Sequence, residues 1–467
     1  MMPQTAALAT ADSKSARYPI GELLADIAGI EATTDQVEVK RKSRDYFWYS
    51  PILYAQLKDL YADVIVTPHS EAEVIKVAAA CARHRIPLTV RGGGTGNYGQ
   101  CVPLEGGVVL DMAAMTRIEW QKPGLIRVEA GAKLFDIDAA TRPNGFELRM
   151  HPSTKRMSQI GGFVAGGSGG VGSVTFGGMR EPGNIVAARI VTLEEEPRVI
   201  ELRGDAAQKI SRAFGTTGII TVLEMPLAPA QRWIDVIVAF DDFIEAVRFG
   251  HAIALADGIV KKLLTPVEWP LPQHFSAFRT SCPDGKSVLL GMIGEMSIEG
   301  FETLLEPYGG TVTYKAPSED VLGKTPIYEH AWNHTTLQML KTDRGITYLQ
   351  CLYPHDRLVE SVASVREKFG GEVSQHLEFI RVNGLMTATG IPVLRYRSPE
   401  RVYEIMAGYE ASGVMIANPH VVTVEDGSRY KRVDADQLGF KHVADPMGLL
   451  NPGKMRSFVP QAESSAR

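Results

Sequence analysis

The glycine-rich loop at residues 90–100, VRGGGTGNYGQ, constrains the fold more than any other segment of the chain. The run from Gly94 to Gly99 has the G-x-G-x-x-G spacing of a dinucleotide-binding loop. In a Rossmann fold that loop opens a helix, because the helix N-terminus binds the pyrophosphate. Here Pro103 and the pair Gly106–Gly107 follow, and the next regular element is the predicted strand GVVLDM. This context disfavours a Rossmann site for NAD.

The residues before the loop predict a strand, a helix and a second strand. VIVTP is rich in β-branched residues, and the helix SEAEVIKVAAACARHR has Ser70 as N-cap with Glu73 three residues later. IPLTVR then runs into the glycines. We expect the backbone N–H groups of this loop to converge on a concavity that binds phosphate oxygens. A tight turn without a ligand is the alternative, but it requires fewer glycines.

A second glycine cluster, IGGFVAGGSGGVGSVTFGG, occupies residues 160–178 and contains nine glycines. A flexible linker would explain the glycines, but not apolar residues such as Phe163 and Val171 between them. Small residues beside apolar ones are typical of backbone that packs closely against a flat ligand. The two clusters together predict a phosphate-binding loop followed by a cradle for a flat group.

Size and composition limit the class of protein. A length of 467 residues predicts two or three domains. The formal net charge of -5 argues against a nucleic-acid partner, and no apolar run approaches the ~20 residues of a membrane span. Residues 1–17 lack an apolar stretch and are predicted to be a disordered leader. The four scattered cysteines form no CxxC pair, which favours a reducing, cytoplasmic location.

The pattern changes after Pro229. RWIDVIVAF, SVLLGMIG and ITYLQCLY read as strands, whereas DDFIEAVRFGHAIALAD and DRLVESVASVREKF read as helices. This order predicts an antiparallel sheet backed by helices, in a separate α+β domain. DAAQKISRAF, before that point, is also predicted to be a helix.

Four motifs occur in a fixed order along the chain: RGGGTGNYGQ…GGVVLDM, HPSTKRMSQIGGFVAGGSGGVGSVTFGG, FGTTGIIT and DPMGLLNPGKM. Together they resemble the FAD-linked oxidases of the vanillyl-alcohol-oxidase/p-cresol-methylhydroxylase (PCMH) type. The nearest branch is that of the D-lactate dehydrogenase and glycolate oxidase flavoprotein subunits. The resemblance implies an α+β fold with a two-part PCMH-type FAD-binding domain at 18–230. A substrate or cap domain at 231–420 follows, and a C-terminal segment at 421–467 returns to the FAD domain.

The resemblance also implies which residues contact FAD. The glycine loop would wrap the pyrophosphate, and Pro152, Ser153 and the Ile160–Gly162 turn would lie along the cofactor. Gly169 would let the chain pass close to the cofactor, Ile219 would meet the adenine side through its backbone, and Asn451 would lie near the isoalloxazine. The complete set of expected contacts is Arg91, Gly92, Gly93, Gly94, Thr95, Gly96, Asn97, Pro152, Ser153, Ile160, Gly161, Gly162, Gly169, Ile219 and Asn451. Relatives with covalent FAD have a histidine where this chain has Thr95, so we expect non-covalent FAD.

Oxidation of a CH–OH group by a flavin needs a base for the hydroxyl and a cation for any carboxylate. His420 matches the histidine of an Glu-His-Gly motif in the 2-hydroxy-acid branch, although Pro419 replaces the glutamate. A hydrogen-bonded structural histidine is the alternative. The metal-binding His-x-x-Asp-Gly-Asn-x-x-His segment of that branch is missing from the sequence, so we expect no metal.

Other polar residues are candidates for the same chemistry. His330 and His334 are four residues apart, as in a metal pair on a helix, but lack a third ligand. His334, Lys341 and Arg344 form a polar run that could face an anionic substrate or simply end a solvated helix. Arg395 could hold a carboxylate or make surface salt bridges.

A further run, HLEFIR, is predicted to be a strand with His376 and Glu378 on one face and Arg381 on the other.

These features predict an FAD-dependent oxidoreductase that takes hydride from a small 2-hydroxy acid onto flavin N5. His420 or His334 would be the base, and Lys341, Arg344 or Arg395 would hold the carboxylate. A phenolic or aromatic alcohol is the alternative substrate. A flavin-carrying electron-transfer subunit, reduced by a redox partner, is the alternative function. The sequence leaves open the electron acceptor and a homo-oligomeric state.

Overall fold

The computed structural model describes residues 17–318, 324–427 and 433–460. The predicted leader lies outside the described residues, apart from Arg17. We call residues 17–230 and 433–460 the cofactor region and residues 231–427 the cap region. The exact domain boundaries stay a prediction.

The first sheet contains four strands in the order β1-β2-β4-β3, with β1 antiparallel and the other three parallel. The Ser70 hydroxyl accepts a hydrogen bond from the Glu73 N–H and caps the following helix, as predicted. The glycine loop leaves β3 and enters β4 without a helix, which confirms that it is not a Rossmann loop. The elements are α1 (Ile20–Asp26), β1 (Glu31–Thr33), α2 (Gln36–Lys42), α3 (Pro51–Leu57), β2 (Val64–Thr67), α4 (Glu71–Arg83), β3 (Leu88–Arg91) and β4 (Val108–Asp111).

The second sheet is antiparallel, with the order β5-β6-β10-β8-β9 and β7 paired to the end of β10. Its elements are β5 (Ile118–Lys122), β6 (Leu125–Glu129), α5 (Leu134–Thr141), β7 (Phe146–Leu148), α6 (Ile160–Gly166), α7 (Ser173–Phe176), β8 (Ala187–Val191), β9 (Val199–Arg203) and β10 (Ile219–Pro229). The helix predicted near DAAQKISRAF is instead a 3-10 helix, Gly204–Ile210. Ala207 and Ile210 are both buried, and their three-residue spacing suits three residues per turn.

The third sheet begins the cap region and is antiparallel, in the order β12-β13-β11-β14. The apolar face of α8 contributes to the largest buried cluster of the molecule, which includes Phe243, Phe249 and Phe301. The elements are β11 (Trp233–Phe240), α8 (Phe243–Leu255), β12 (Lys261–Val267), β13 (Ser287–Gly294), α9 (Ile298–Leu305) and β14 (Thr311–Pro317).

Two smaller sheets complete the cap region, in the orders β15-β20-β17 and β18-β19-β16-β21. ITYLQCLY was predicted as one strand but forms two, because Tyr348 pairs with Val393 in one sheet and Cys351 with Gly390 in the other. The elements are α10 (Asn333–Leu340), β15 (Ile346–Tyr348), β16 (Cys351–Leu352), α11 (Leu358–Phe369), β17 (Val373–Ser374), β18 (Leu377–Val382), β19 (Leu385–Gly390), β20 (Val393–Arg395), α12 (Pro399–Ala411) and β21 (Met415–Ile416).

The last described residues pack against the first sheet. After α13 (Ala435–Ala444), the Leu449 carbonyl accepts a hydrogen bond from the Leu88 N–H at 2.9 Å, and the Asn451 N–H donates to the Leu88 carbonyl at 2.7 Å. These bonds cover the free edge of β3, which would otherwise expose unpaired backbone groups. None of the described helices is long and apolar enough to cross a membrane.

Candidate active site

A long cleft, with an empty volume of about 1410 Å³, runs beside the glycine loop and ends at the cap region. Many of the residues expected to contact a cofactor line it. They are Gly92, Gly93, Gly94, Thr95, Gly96, Asn97, Pro152, Ser153, Gly161, Gly162 and Gly169.

The glycine loop packs tightly on the side away from the cleft. A Cβ atom on Gly93 would lie 2.3 Å from the Met157 carbonyl oxygen, and Gly94 has a φ of +63°, which favours glycine. The Tyr46 N–H donates to the Gly96 carbonyl at 2.7 Å. Because these contacts fix the loop from behind, its glycines face the cleft without side chains in the way.

The second glycine cluster forms a further part of the cleft wall at the start of α6. A Cβ on Gly161 would lie 2.7 Å from the Ala130 Cβ, so the backbone of α6 packs directly against Ala130, the residue that follows β6. A Cβ on Gly162 would lie 3.9 Å from the Gly92 Cα, an ordinary van der Waals distance, and both glycines line the cleft. Because neither residue has a side chain, this part of the cleft stays free for a ligand.

A buried acceptor also points to a ligand in the cleft. The Gln159 side chain lines the cleft, and its Oε1 is buried without a hydrogen-bond partner among the described residues. Buried polar atoms are normally paired. The glycine walls and this acceptor therefore fit a long ligand with a diphosphate, a flat ring and hydrogen-bond donors.

Four of the expected cofactor contacts lie just outside the cleft wall. Arg91 donates to the Arg44 carbonyl at 2.5 Å, and Ile160 and Ile219 are core residues. Asn451 donates to the carbonyls of Gln100 at 2.8 Å and Phe214 at 2.6 Å, two residues that line the cleft. Asn451 thus ties two segments of the wall together.

His420 is buried outside the cleft lining, and a chain of contacts through Tyr348 and Asn97 connects it to the cleft. Its Nδ1 shares a hydrogen bond with the Ser50 hydroxyl at 2.7 Å, and its ring lies 5.9 Å from that of Tyr348. The Tyr348 hydroxyl accepts a hydrogen bond at 2.6 Å from Asn97, which lines the cleft. Burial lowers the pKa of His420 to about 4, and its Nε2 has no partner among the described residues.

His334 lies on α10, directly after Asn333, which lines the cleft. Burial and then the charge of Lys341 lower the pKa of His334 to about 4. His330 belongs to the preceding 3-10 helix, Ile327–His330, and lies between the rings of Phe275 and Phe278. The two histidines therefore do not share a helix face. No group of three or more potential ligands for a metal ion occurs in the part of the chain that is described.

The three cations proposed for a substrate carboxylate are all exposed and lie outside the cleft lining. Lys341 donates to the Gln338 side chain at 2.9 Å, and Arg344 lies over the ring of Trp48 at 5.1 Å. Arg395 is the last residue of β20, where its buried neighbour Leu394 takes the inner face.

The cap region contributes Trp332, Asn333, Gln350 and Ile391 to the cleft, residues not predicted from the sequence. Trp332 has a φ of +53°, an uncommon conformation for a residue with a side chain. The backbone N–H of Trp332 donates a hydrogen bond at 2.5 Å to the carboxylate of the buried Glu378. A local motif would not reveal these residues, because they come from separate elements.

The strand containing Glu378 follows its prediction. Glu378 accepts hydrogen bonds from His376 at 2.8 Å and from the Thr265 hydroxyl at 2.6 Å. The expectation that His376 and Glu378 share a face of the strand is confirmed.

Comparison with known proteins agrees with this geometry. Residues 62–200 match the FAD binding domain family. Glycolate oxidase subunit GlcD of Escherichia coli K12 is 29% identical over 207 residues, which are 42% of this chain and 41% of that protein. The D-lactate dehydrogenase of Anaerostipes hadrus is 27% identical over 439 residues, 84% of this chain and 89% of that protein.

The similarity is uneven along the chain. This chain covers less than half the length of several relatives, including the D-lactate dehydrogenase of Archaeoglobus fulgidus, which is 30% identical over 36% of this chain and 39% of that protein. Among solved structures, an alkyldihydroxyacetonephosphate synthase has a TM-score of 0.70 at 17% identity and covers 93% of this chain and 84% of its own. At that identity the likeness concerns the fold alone.

Proposed function

We propose that this chain, which carries a PCMH-type FAD-binding domain, is an oxidoreductase that oxidises the CH–OH group of a small 2-hydroxy acid such as D-lactate or glycolate. One observation carries the proposal. The FAD cleft continues from the glycine loop to Trp332 and Asn333 of the cap region, which leaves a pocket for a small molecule at that end. The names of relatives, glycolate oxidase and D-lactate dehydrogenase, support this substrate class.

The residues of the cleft account for cofactor binding. Gly92 to Gly96 offer their amides to the diphosphate. Gln159 offers its free Oε1 to a donor of the ligand. Bound FAD supplies the two-electron acceptor for the hydride at its N5. Thr95, whose hydroxyl hydrogen-bonds Ser158 at 2.8 Å, has no nitrogen for a histidyl link, so we propose non-covalent binding.

His420 is the proposed base for the substrate hydroxyl. Because its pKa is about 4, the imidazole is neutral at pH 7 and can accept a proton. In the tautomer with its proton on Nδ1, His420 donates a hydrogen bond to the Ser50 hydroxyl oxygen, which fixes the ring and leaves Nε2 as the unprotonated nitrogen. His334, with a pKa also near 4, is the second candidate base.

Two other functions have specific support. Tyr98, Phe214 and Trp332 line the cleft and would suit a phenolic or aromatic alcohol. The word subunit in the name of the glycolate oxidase relative supports a flavin-carrying subunit that exchanges electrons with a partner protein.

A substrate panel tests the proposal. We expect the purified protein to be yellow, and D-lactate or glycolate to bleach its flavin absorbance when mixed without oxygen. Bleaching only by vanillyl or benzyl alcohol would favour an aromatic substrate. Reduction by dithionite but by none of these compounds would contradict the proposed enzymatic activity.

Acid precipitation tests the mode of attachment. With non-covalent FAD, the yellow colour stays in the supernatant after the protein is pelleted. Colour in the pellet would contradict the proposal for Thr95.

A further inference from the structure

The segment Ser211–Gly215 forms part of the wall of the FAD cleft, and its backbone is unusual. Arg212 has a φ of +55° and Phe214 a φ of +52°, although neither is a glycine. Residues in such conformations persist where the surrounding structure fixes them, and they occur preferentially at functional sites. Phe214 lines the cleft, so this strained turn belongs to its wall.

The surroundings of the segment hold Arg212 in place. A Cβ on Gly167 would lie 2.5 Å from the Arg212 nitrogen, so the two backbones are in close contact. The N–H groups of Ala213 and Phe214 both donate to the Ala165 carbonyl, at 3.1 Å and 3.2 Å. Arg212 therefore projects from a rigid turn beside α6.

The guanidinium of Arg212 is a partly buried cation, and the described part of the chain offers it no counterion. No hydrogen bond or ion pair joins it to any residue in 17–318, 324–427 or 433–460. The charge of Arg180, a second cation, acts on it electrostatically, as does the Tyr98 hydroxyl. Burial, followed by the charge of Arg180, lowers the pKa of Arg212. An arginine nevertheless stays protonated in proteins, and such a charge is normally paired.

The contacts of Tyr98 show where the Arg212 charge lies relative to the cleft. Its ring lies 6.5 Å from that of Phe214, and its hydroxyl hydrogen-bonds the Gln350 side chain. All three residues line the cleft, and Gln350 belongs to the cap region. The positive charge thus stands behind the junction of the glycine loop and the cap.

We propose that Arg212 binds an anionic oxygen group of a molecule in this cleft, and that this group is the counterion that the described residues do not provide. Two molecules in the cleft would present that chemistry: a carboxylate-bearing substrate and the diphosphate of FAD. The substrate case rests on the proposed function, whereas the diphosphate case requires only the FAD-binding domain.

Binding measurements on three variants test the assignment. Arg212→Met removes the charge and keeps most of the length, Arg212→Lys keeps the charge, and Arg248→Met removes an exposed charge from α8 as a control. For each protein, FAD affinity is measured by flavin fluorescence on titrating the apoprotein. Oxalate, a carboxylate that flavins do not oxidise, is titrated into the holoprotein at constant ionic strength and followed by the flavin spectrum. Thermal unfolding of each apoprotein reports on folding.

The outcomes separate the two sources of the anion. If Arg212 binds a substrate carboxylate, Arg212→Met weakens oxalate binding about 100-fold, Arg212→Lys restores part of it, and FAD affinity is unchanged. If Arg212 binds the diphosphate, Arg212→Met weakens FAD binding by a similar factor. Unchanged affinity for both ligands, with normal unfolding temperatures, would overturn the proposal. Because oxalate binding requires no turnover, failure of the substrate panel alone would leave this inference standing.

Discussion

The cofactor region and the cap region build the same cleft by different means. The cofactor region uses short runs of neighbouring residues, such as Gly92 to Asn97, that line the cleft consecutively. The cap region contributes the pair Trp332–Asn333 and the single residues Gln350 and Ile391, which lie far apart in the chain. One half of the site is therefore encoded in local sequence, and the other half only in tertiary packing. The family match over residues 62–200 falls entirely within the first half.

The largest expected effect is on catalysis, and it tests whether the cap region supplies the base. We expect His420→Asn to lower kcat by about 1,000-fold, because a general base contributes ~10²–10⁴ in rate. FAD affinity should be unchanged, as His420 lies behind the wall. Stopped-flow reduction of the flavin by the substrate identified above measures the first quantity and fluorescence titration the second.

His334→Asn is the matched control for this experiment. A larger loss in His334→Asn than in His420→Asn would transfer the role of base to α10. Ser50→Ala, which removes the partner of His420 Nδ1, should give a smaller loss than His420→Asn.

A substitution at Gly162 tests how the cofactor region contributes to the cleft. Gly162→Leu should weaken FAD binding about 100-fold, because Gly162 lines the cleft and the new side chain would occupy space that the ligand needs. Overpacking costs about 1–3 kcal/mol, and ~2.7 kcal/mol is a factor of 100. Isothermal titration of the apoprotein with FAD measures this effect.

Gly93→Ala provides the contrast. Its Cβ would meet the Met157 carbonyl at 2.3 Å, so it should destabilise the apoprotein itself. Gly162→Leu should leave the unfolding temperature nearly unchanged. Equal losses of stability in both variants would contradict the view that Gly162 faces ligand space.

Acid should affect the cap region more than the cofactor region. Burial lowers the pKa of His330 to about 3 and that of His420 to about 4, whereas an unfolded histidine has a pKa near ~6.5. At pH 7 both histidines are neutral in the folded protein. Between about pH 6.5 and pH 4 the unfolded chain takes up protons that the folded histidines do not bind. Acid therefore destabilises the folded state, by ~2–3 kcal/mol at pH 4 for His420.

Hydrogen exchange at pH 7 and pH 5 would measure this difference. We expect earlier loss of protection around residues 327–340 and 415–424 than in β2 to β4. The exposed His69 of the cofactor region provides a control, since His69→Gln should not change the acid response. Simultaneous loss of protection in both regions would contradict the prediction.

The smallest expected effect concerns Thr95. Thr95→Val removes the hydrogen bond to the Ser158 hydroxyl, which in turn bonds Thr154 at 2.6 Å. A neutral hydrogen bond contributes about 1 kcal/mol, so FAD affinity should fall about fivefold. Thr95→Ser should bind like the native protein. A loss as large as that in Gly162→Leu would mean that Thr95 contacts the cofactor directly.

The sequence predicts most of the cofactor region because its signals are local. The Ser70 cap, the strands around the loop and the need for small residues at Gly93 and Gly161 all follow from neighbouring residues. Most of the contacts implied by the resemblance line the cleft, but a few expected contacts lie just outside it. Ile219 lies in the core between the lining residues Gly218 and Ile220, and Asn451 acts on the wall through its hydrogen bonds.

The site residues of the cap region could not be predicted from the sequence, for a physical reason. Lys341, Arg344 and Arg395 have the charges expected for a carboxylate site, but all three side chains are exposed. Charge in the sequence does not specify which way a short strand or helix end faces. Arg212 shows the converse, since nothing in RAFG indicates that a left-handed turn would bury its charge behind the cleft.

The pairing of residues 449–451 with β3 also affects how the protein is made. Asn451 and Lys454 bond the carbonyls of Gln100 and Gly99, partners 351 and 355 positions earlier in the chain. During synthesis the glycine loop therefore leaves the ribosome long before the residues that brace it. Stable loading of FAD should wait until translation has passed residue 454, and nascent chains arrested before residue 449 should emerge without flavin.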